Sequence, residues 1–328
     1  MLSALLAVVL LVAGAALLTV GAEAFAENVD AASARLGVSV LALGVLLAGA
    51  EPEEAVTAML ASGQGHPALA AGDAVGANLV IATLTLGLAG WVARLPVDRH
   101  AQQYAGAAVV AGAVSWLLLR NGVLGRGEGL LLVLLYAAGV TWVWRRERQP
   151  PLVGELGELA EEGELPAAHR PSGAAAPDDR VTGRALLVLL LGVLGMVLGG
   201  GVAVRGAAGL VAVLDLRESV VGRTVLALAT SAEMIALVWS AHRRGLSELV
   251  VAGAVGAMAY NSTVTLGLAA LVSPLPLGAD NVILRVLGLT AVLPLALLSA
   301  RRSGTLPRTV ALLLVVCYAA VTAWVLAR

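Results

Sequence analysis

The sequence predicts an all-α integral membrane protein of ten transmembrane helices, arranged as two inverted five-helix repeats. Three observations point there: the composition, the run of spanning-length apolar stretches, and a self-match of the chain at an offset of 180 residues. Of 328 residues, 59% are hydrophobic and 13% charged. Soluble domains hold roughly 45–50% apolar and about 25% charged residues, so this chain belongs in a bilayer. A net charge of −1 and the lack of any Lys leave no basic patch for DNA or RNA, and nucleic acid is excluded as a partner. The one cysteine, Cys317, lies in an apolar run and can form neither an intramolecular disulfide nor a multi-cysteine metal site.

Apolar stretches long enough to cross a bilayer, about 20 residues each, begin near residues 2, 37, 68, 103, 129, 184, 219, 246, 281 and 306. Their ends fall at Gly, Pro and charged clusters. The first lacks a basic start and a clear cleavage site, so it reads as a membrane helix and not as a secretory signal. The second, LLAGAEPEEAVTAML, carries Glu51, Glu53 and Glu54 around Pro52. The third holds GDAVGANLVI with Asn78, the seventh LALATSAEMIALVWS with Glu233, and the eighth AGAVGAMAYN with Asn261. Twenty-residue lengths without two-residue alternation argue against an outer-membrane β-barrel.

All 21 basic side chains are Arg, and an outside N-terminus gives the better positive-inside partition. It places fourteen of them inside, among them Arg145, Arg146, Arg148, Arg170, Arg180 and Arg184 around the central connection. Seven stay outside or near the outer interface: Arg120, Arg126, Arg205, Arg217, Arg223, Arg285 and Arg328. The connection is rich in Pro, Gly, Ala and acids and has no apolar periodicity, so it is expected to be a disordered cytoplasmic tether. The domains are accordingly 1–146, a linker at 147–182, and 183–328. The expected location is the cell (inner) membrane.

The self-match needs no gaps. It pairs Glu53 with Glu233 and Gly65 with Gly245, the run AVGA at 74–77 with 254–257, and TLGLA from Thr85 with TLGLA from Thr265. Five spans per half is an odd number, so the second copy enters the membrane from the opposite face. Inverted repeats place their substrate site near the midplane at the repeat interface, and Glu53 and Glu233 are expected to approach one another there.

A carboxylate deep in a bilayer costs about 2.5–3.5 kcal/mol on insertion scales, so it marks function before stability. Pro52 and the small residues before it weaken the helix and free carbonyls, which join hydroxyls and carboxylates as hard oxygen ligands. Such donors suit Ca²⁺, Na⁺ or H⁺, and with no His or Cys nearby softer metals are disfavoured. Glu51 and Glu54 share a face if the helix is unbroken. The repeat register favours Glu53, and unwinding at Pro52 recruits Glu51. Asn78 and Asn261 carry amide oxygens that can coordinate a cation.

At these residues the chain resembles the calcium/cation antiporter superfamily, the sodium/calcium exchangers and their proton-coupled relatives. GAEPE (49–53) and ATSAE (229–233) look like the family's GTSLPE element with one residue missing; GDAVGANLVI and AGAVGAMAYN look like its GNxxGSNxxN/D element. The resemblance implies Glu53 and Glu233 as paired ion-binding acids, with Thr230, Ser231 and Asn261 as further ligands. Ala50, Glu51, Ala77, Ile81, Ala257 and Met258 stand where the family carries other ligands. Ca²⁺ exchanged for Na⁺ or H⁺ by alternating access is the expected activity. Na⁺/H⁺ or other monovalent exchange, and a transport-inactive scaffold of the same family, are the alternatives. No resident cofactor and no enzymatic step are expected: GxxxxGK[ST], HExxH and GxSxG are all absent from the sequence. The partners are inorganic cations and lipid.

Overall fold

The computed structural model describes residues 3–36, 51–92, 95–97, 99–147, 179–232, 234–235, 238, 247–276, 281–301 and 303–327. These residues are almost wholly helical. In chain order the α-helices are α1 (Ala4–Leu36), α2 (Pro52–Gly63), α3 (Pro67–Leu79), α4 (Leu86–Val92), α5 (Arg99–Leu119), α6 (Arg126–Glu147), α7 (Asp179–Leu214), α8 (Glu218–Val221), α9 (Ala227–Thr230), α10 (Ser247–Tyr260), α11 (Leu266–Val272), α12 (Asn281–Val292) and α13 (Arg308–Leu326). Wider π-helical turns at Val80–Thr85, Gly222–Leu226 and Asn261–Thr265 join α3 to α4, α8 to α9 and α10 to α11. A 3₁₀ stretch, Leu293–Arg301, extends α12.

Seven described helical stretches are long and apolar enough to cross a membrane, and they coincide with the apolar runs beginning near 2, 68, 103, 184, 246, 281 and 306. Of the other three expected spans, the one near 129 is the 22-residue α6. Those near 37 and 219 run in part through residues outside the described set, as does the central connection. Burial separates inner helices from outer ones. In the most apolar windows of Pro67–Val92 and Gly253–Val272, 78% and 72% of residues are buried, against 17–39% in the other five. Leu5, Leu187 and Leu313 on the outer helices are more than half exposed, as lipid-facing side chains are.

The packing rests on small residues, because membrane helices gain little from the hydrophobic effect and much from close backbone contact. Helices α1 and α7 meet through Gly14, Gly21, Gly199 and Gly206; a Cβ at Gly14 would lie 2.3 Å from the backbone nitrogen of Ala203. Helix α3 meets the Gly222–Leu226 turn through Gly72, Gly76 and Gly222. The two inner helices are each wedged on a helix from the other half of the chain. Gly87 of α4 packs on Ala311 and Val315 of α13, and Gly267 of α11 packs on Gly129, Leu132 and Val133 of α6.

Element bounds repeat at the offset seen in the sequence. Helices α3 and α10 start at Pro67 and Ser247, and α4 and α11 span Leu86–Val92 and Leu266–Val272, all 180 residues apart. In each corresponding π turn a Thr hydroxyl donates to the carbonyl four residues back: Thr83 to Leu79 and Thr263 to Ala259. Loops join pairwise. Val123–Leu124 (β1) pairs antiparallel with Leu275–Pro276 (β2), while Leu306 N–H donates to Leu95 O (2.9 Å) and Val97 N–H to Gly304 O (2.9 Å). His66, between α2 and α3, pairs with Glu218 at the start of α8, Nδ1 to Oε1 2.6 Å.

Candidate functional site

A helix start and a helix break set the site. Helix α2 starts at Pro52, whose missing N–H costs nothing at a first helical position, and Glu51 is its N-cap residue. The Glu51 carbonyl accepts from Glu54 N–H (3.1 Å) and Ala55 N–H (3.3 Å), leaving the side chain to point elsewhere. Glu53 and Glu54 then fall in the first turn, where unpaired N–H groups and the helix dipole favour negative charge. The opposing break comes 180 residues later. Helix α9 ends at Thr230, and Ser231 leaves the helix with φ −84° and ψ 9°.

The two face each other across the halves. The Ser231 hydroxyl donates to Glu54 Oε1 (3.2 Å), and the Thr230 hydroxyl contacts Asp73 Oδ1 on α3 (3.3 Å). The single Thr230 proton also has the Leu226 and Ala227 carbonyls within 3.2 and 3.3 Å. Asp73 thus receives a shared bond and not a dedicated one. Glu54 and Asp73 are thus held by hydroxyls of two consecutive residues. Glu51, Glu53, Glu54 and Asp73 are each at most 2% exposed. Glu54 Oε2 and Asp73 Oδ2 have no hydrogen-bond partner among the described residues, nor do Asn78 Oδ1 and the hydroxyls of Thr57 and Thr85. Buried oxygens without donors are costly in apolar surroundings and suited to a hard cation or to protons.

The two asparagines behave differently. Asn78 spends its amide hydrogens on Met258 O (3.3 Å) and Ser262 Oγ (2.8 Å), which ties α3 to α10 and leaves its oxygen free. Asn261 donates to Glu51 Oε2 (2.8 Å), and its oxygen accepts from Thr265 (2.8 Å). As an oxygen donor Asn78 is therefore better placed than Asn261.

The structure thus brings together Thr230 and Ser231 with Glu54 and Asp73, and Asn261 with Glu51. Glu53 is buried in the same first turn as Glu54. Glu233, its expected counterpart, lies outside the described residues. Asp73 was not singled out from the sequence, although it sits inside GDAVGANLVI between Gly72 and Gly76; an acid in an apolar spanning run is itself the signal. Arg223, counted with the outer Arg residues, is 3% exposed: it lies in the Gly222–Leu226 turn, where α3 packs against its backbone through Gly76. No three acids, His or Cys converge on one point among the described residues. A cation preferring 6–8 oxygens would draw the rest from hydroxyls, carbonyls and Asn78.

Comparison with known proteins gives a consistent answer. A family model described as sodium/calcium exchanger protein matches residues 3–145 and 184–327. The inner membrane protein YrbG of Escherichia coli K12 is 28% identical over 284 residues, covering 82% of this chain and 81% of its own. The putative antiporter CaxA of Alkalimonas amylolytica is 24% identical over 279 residues, covering 82% and 80%. A solved structure of the sodium-calcium exchanger NCX_Mj, soaked with 10 mM Na⁺ and 10 mM Sr²⁺, aligns with a TM-score of 0.60 at 20% identity, over 98% of this chain and 99% of that one. That likeness is one of fold.

Proposed function

Because the chain belongs to the sodium/calcium exchanger protein family, a family of membrane cation antiporters, we propose that it exchanges Ca²⁺ for Na⁺ or H⁺ by alternating access at a buried carboxylate site. The observation that carries this reading is the contact of Thr230 and Ser231 with Asp73 and Glu54, two acids held by two helices of the other half. Two carboxylates neutralise one divalent ion, two monovalent ions or two protons. Loads therefore compete, and an empty pocket holding two bare charges resists crossing a low-dielectric barrier.

The architecture we infer is ten helices in two inverted repeats. The shared 180-residue offset of element bounds supports it. So does the pairing of loops, since each joined pair falls on one membrane face when the N-terminus is outside: 95–97 with 304–306 inside, and 123–124 with 275–276 and His66 with Glu218 outside. The helix start at Glu51 and the break at Thr230–Ser231 are the points where one half can rock against the other. The repeat register matches Glu53 with Glu233 as a second candidate pair of acids, and Asn78 adds a neutral oxygen.

Monovalent exchange is the second reading. Ala77, Ala257 and Met258 supply no side-chain oxygen where the family's element has Ser or Asn, which leaves a pocket poorer in neutral side-chain ligands. Ion flux in proteoliposomes tests both. Gradient-driven ⁴⁵Ca²⁺ uptake should appear with an opposing Na⁺ or proton gradient and vanish in Glu54→Gln and Asp73→Asn. Uptake of Na⁺ or H⁺ alone favours the second reading, and undiminished exchange in both variants removes the site assignment.

A further inference from the structure

Asn78 bonds across the join between the halves to its own counterpart in the repeat. The two residues are 180 apart, and the Asn78 amide donates to the Met258 carbonyl (3.3 Å). Its other hydrogen goes to the hydroxyl oxygen of Ser262 (2.8 Å), in the Asn261–Thr265 turn. The sense of the amide follows from the partners: a backbone carbonyl only accepts, so the atom that faces Met258 is the nitrogen. The amide oxygen is turned the other way, buried and without a partner among the described residues. Behind the turn stands Ser115 of α5, also buried, whose hydroxyl donates to the Ser262 carbonyl and reaches Ala111 O (2.9 Å) as well.

We propose that Ser262 is a positioning residue that aims the Asn78 oxygen at the transported cation. The inference rests on the exchange reading above, and it names the contact through which the second half presents a ligand carried by the first. The bond to Met258 is long, since N–H···O bonds usually fall at roughly 2.7–3.2 Å. Alone it sets the sense of the amide but leaves the amide plane free to turn, because the terminal torsion of Asn is a broad one. The shorter bond to Ser262 is the second anchor. An amide held at both hydrogens cannot swing, and its oxygen is in place before the ion arrives.

The arrangement is one-sided. The offset that pairs Asn78 with Met258 pairs Ser262 with Ala82. The mirror-related bonds therefore cannot form: the Met258 side chain has no N–H to donate, and Ala82 has no hydroxyl to accept. Where α3 meets α10 and its turn, the chain thus offers one neutral amide oxygen, and the acceptors for both amide hydrogens come from the opposite half. Ser115 supports the turn from α5 without touching the amide, so its part is to hold the Ser262 backbone.

Purified full-length protein in detergent, titrated with Ca²⁺ by calorimetry, tests this through a double-mutant cycle of Ser262→Ala and Asn78→Ala. Ser262→Ala is expected to weaken Ca²⁺ about tenfold, while Ser262→Thr, which keeps the hydroxyl, stays within about threefold of wild type. Asn78→Ala should weaken Ca²⁺ by itself. Adding Ser262→Ala to it should change the affinity no further, since no oxygen remains to be aimed. Where Ser262→Ala does not fold, Ser262→Cys takes its place in the cycle, because sulfur is a weak acceptor. Unchanged affinity in either single variant overturns the proposal. So does a Ser262→Ala effect of equal size with and without Asn78, which would mark Ser262 as a packing residue. A wild-type protein that binds Na⁺ but no Ca²⁺ removes the divalent reading alone, and the same cycle read with Na⁺ then decides the role of Ser262. A wild-type protein that binds neither ion removes the exchange reading and this proposal with it.

Discussion

Single residues carry the chemistry, and the Thr230 hydroxyl shows how finely. It has one proton and three acceptors within reach, one of them Asp73. Thr230→Val should therefore leave folding intact, because two of those acceptors are carbonyls already bonded in the helix. It should weaken divalent binding by about tenfold, consistent with losing one hydrogen bond to a charged group at roughly 1.5–3 kcal/mol; calorimetry on the purified variant measures it. The acidic run around Pro52 was legible from sequence because three carboxylates beside a proline in a spanning segment have no ordinary explanation. Asp73 was harder to see: it is a lone acid in a Gly- and Ala-rich stretch that reads as small-residue helix packing. Nothing in one dimension shows that its carboxylate meets a hydroxyl 157 residues away. The Thr265 hydroxyl, which donates to Asn261 Oδ1, is silent in the sequence for the same reason, since its role comes from what it touches.

Helices set the distances between those residues, and here glycine decides. At Gly76 an added Cβ would lie 2.6 Å from the Cβ of Ala227 and from the Cα and carbonyl oxygen of Arg223. Gly76→Val should push α3 from the Gly222–Leu226 turn, destabilise the protein by about 1–3 kcal/mol as overpacking does, and weaken divalent binding by moving Asp73 from Thr230. A lowered denaturation midpoint with unaltered binding would mean that the helix contact does not position the site. The His66–Glu218 pair presents the opposite case. Both side chains are about one-third exposed, and such pairs contribute about 0–1 kcal/mol. His66→Ala should shift the unfolding midpoint little, so a large shift would show that this strap does more than join two loops. Helix starts at Pro52 and Pro67 could be read from the sequence, as proline favours a first helical position. The three π turns could not, because Thr-containing apolar turns look the same whether the helix closes on the fourth or the fifth residue.

Across the whole molecule, the two halves are interleaved and not merely adjacent. The inner helix of each half finds its close partner in the outer helix of the other: α4 on α13, and α11 on α6. Repeat register and spanning runs were visible in the amino-acid order; this exchange of partners was not, since small residues advertise contact without naming what they contact. The polypeptide should accordingly tolerate a cut between the halves. If the covalent join between the halves does no structural work, then residues 1–147 and 179–328 produced as separate chains in one cell should purify as an equimolar complex with ion-binding activity intact. Either fragment made alone should be cleared by proteolysis, its central helix presenting a bare glycine seam to lipid. Affinity capture through a tag on one fragment would show the outcome directly, and recovery of a stable lone fragment would mean that each portion can mature without its counterpart.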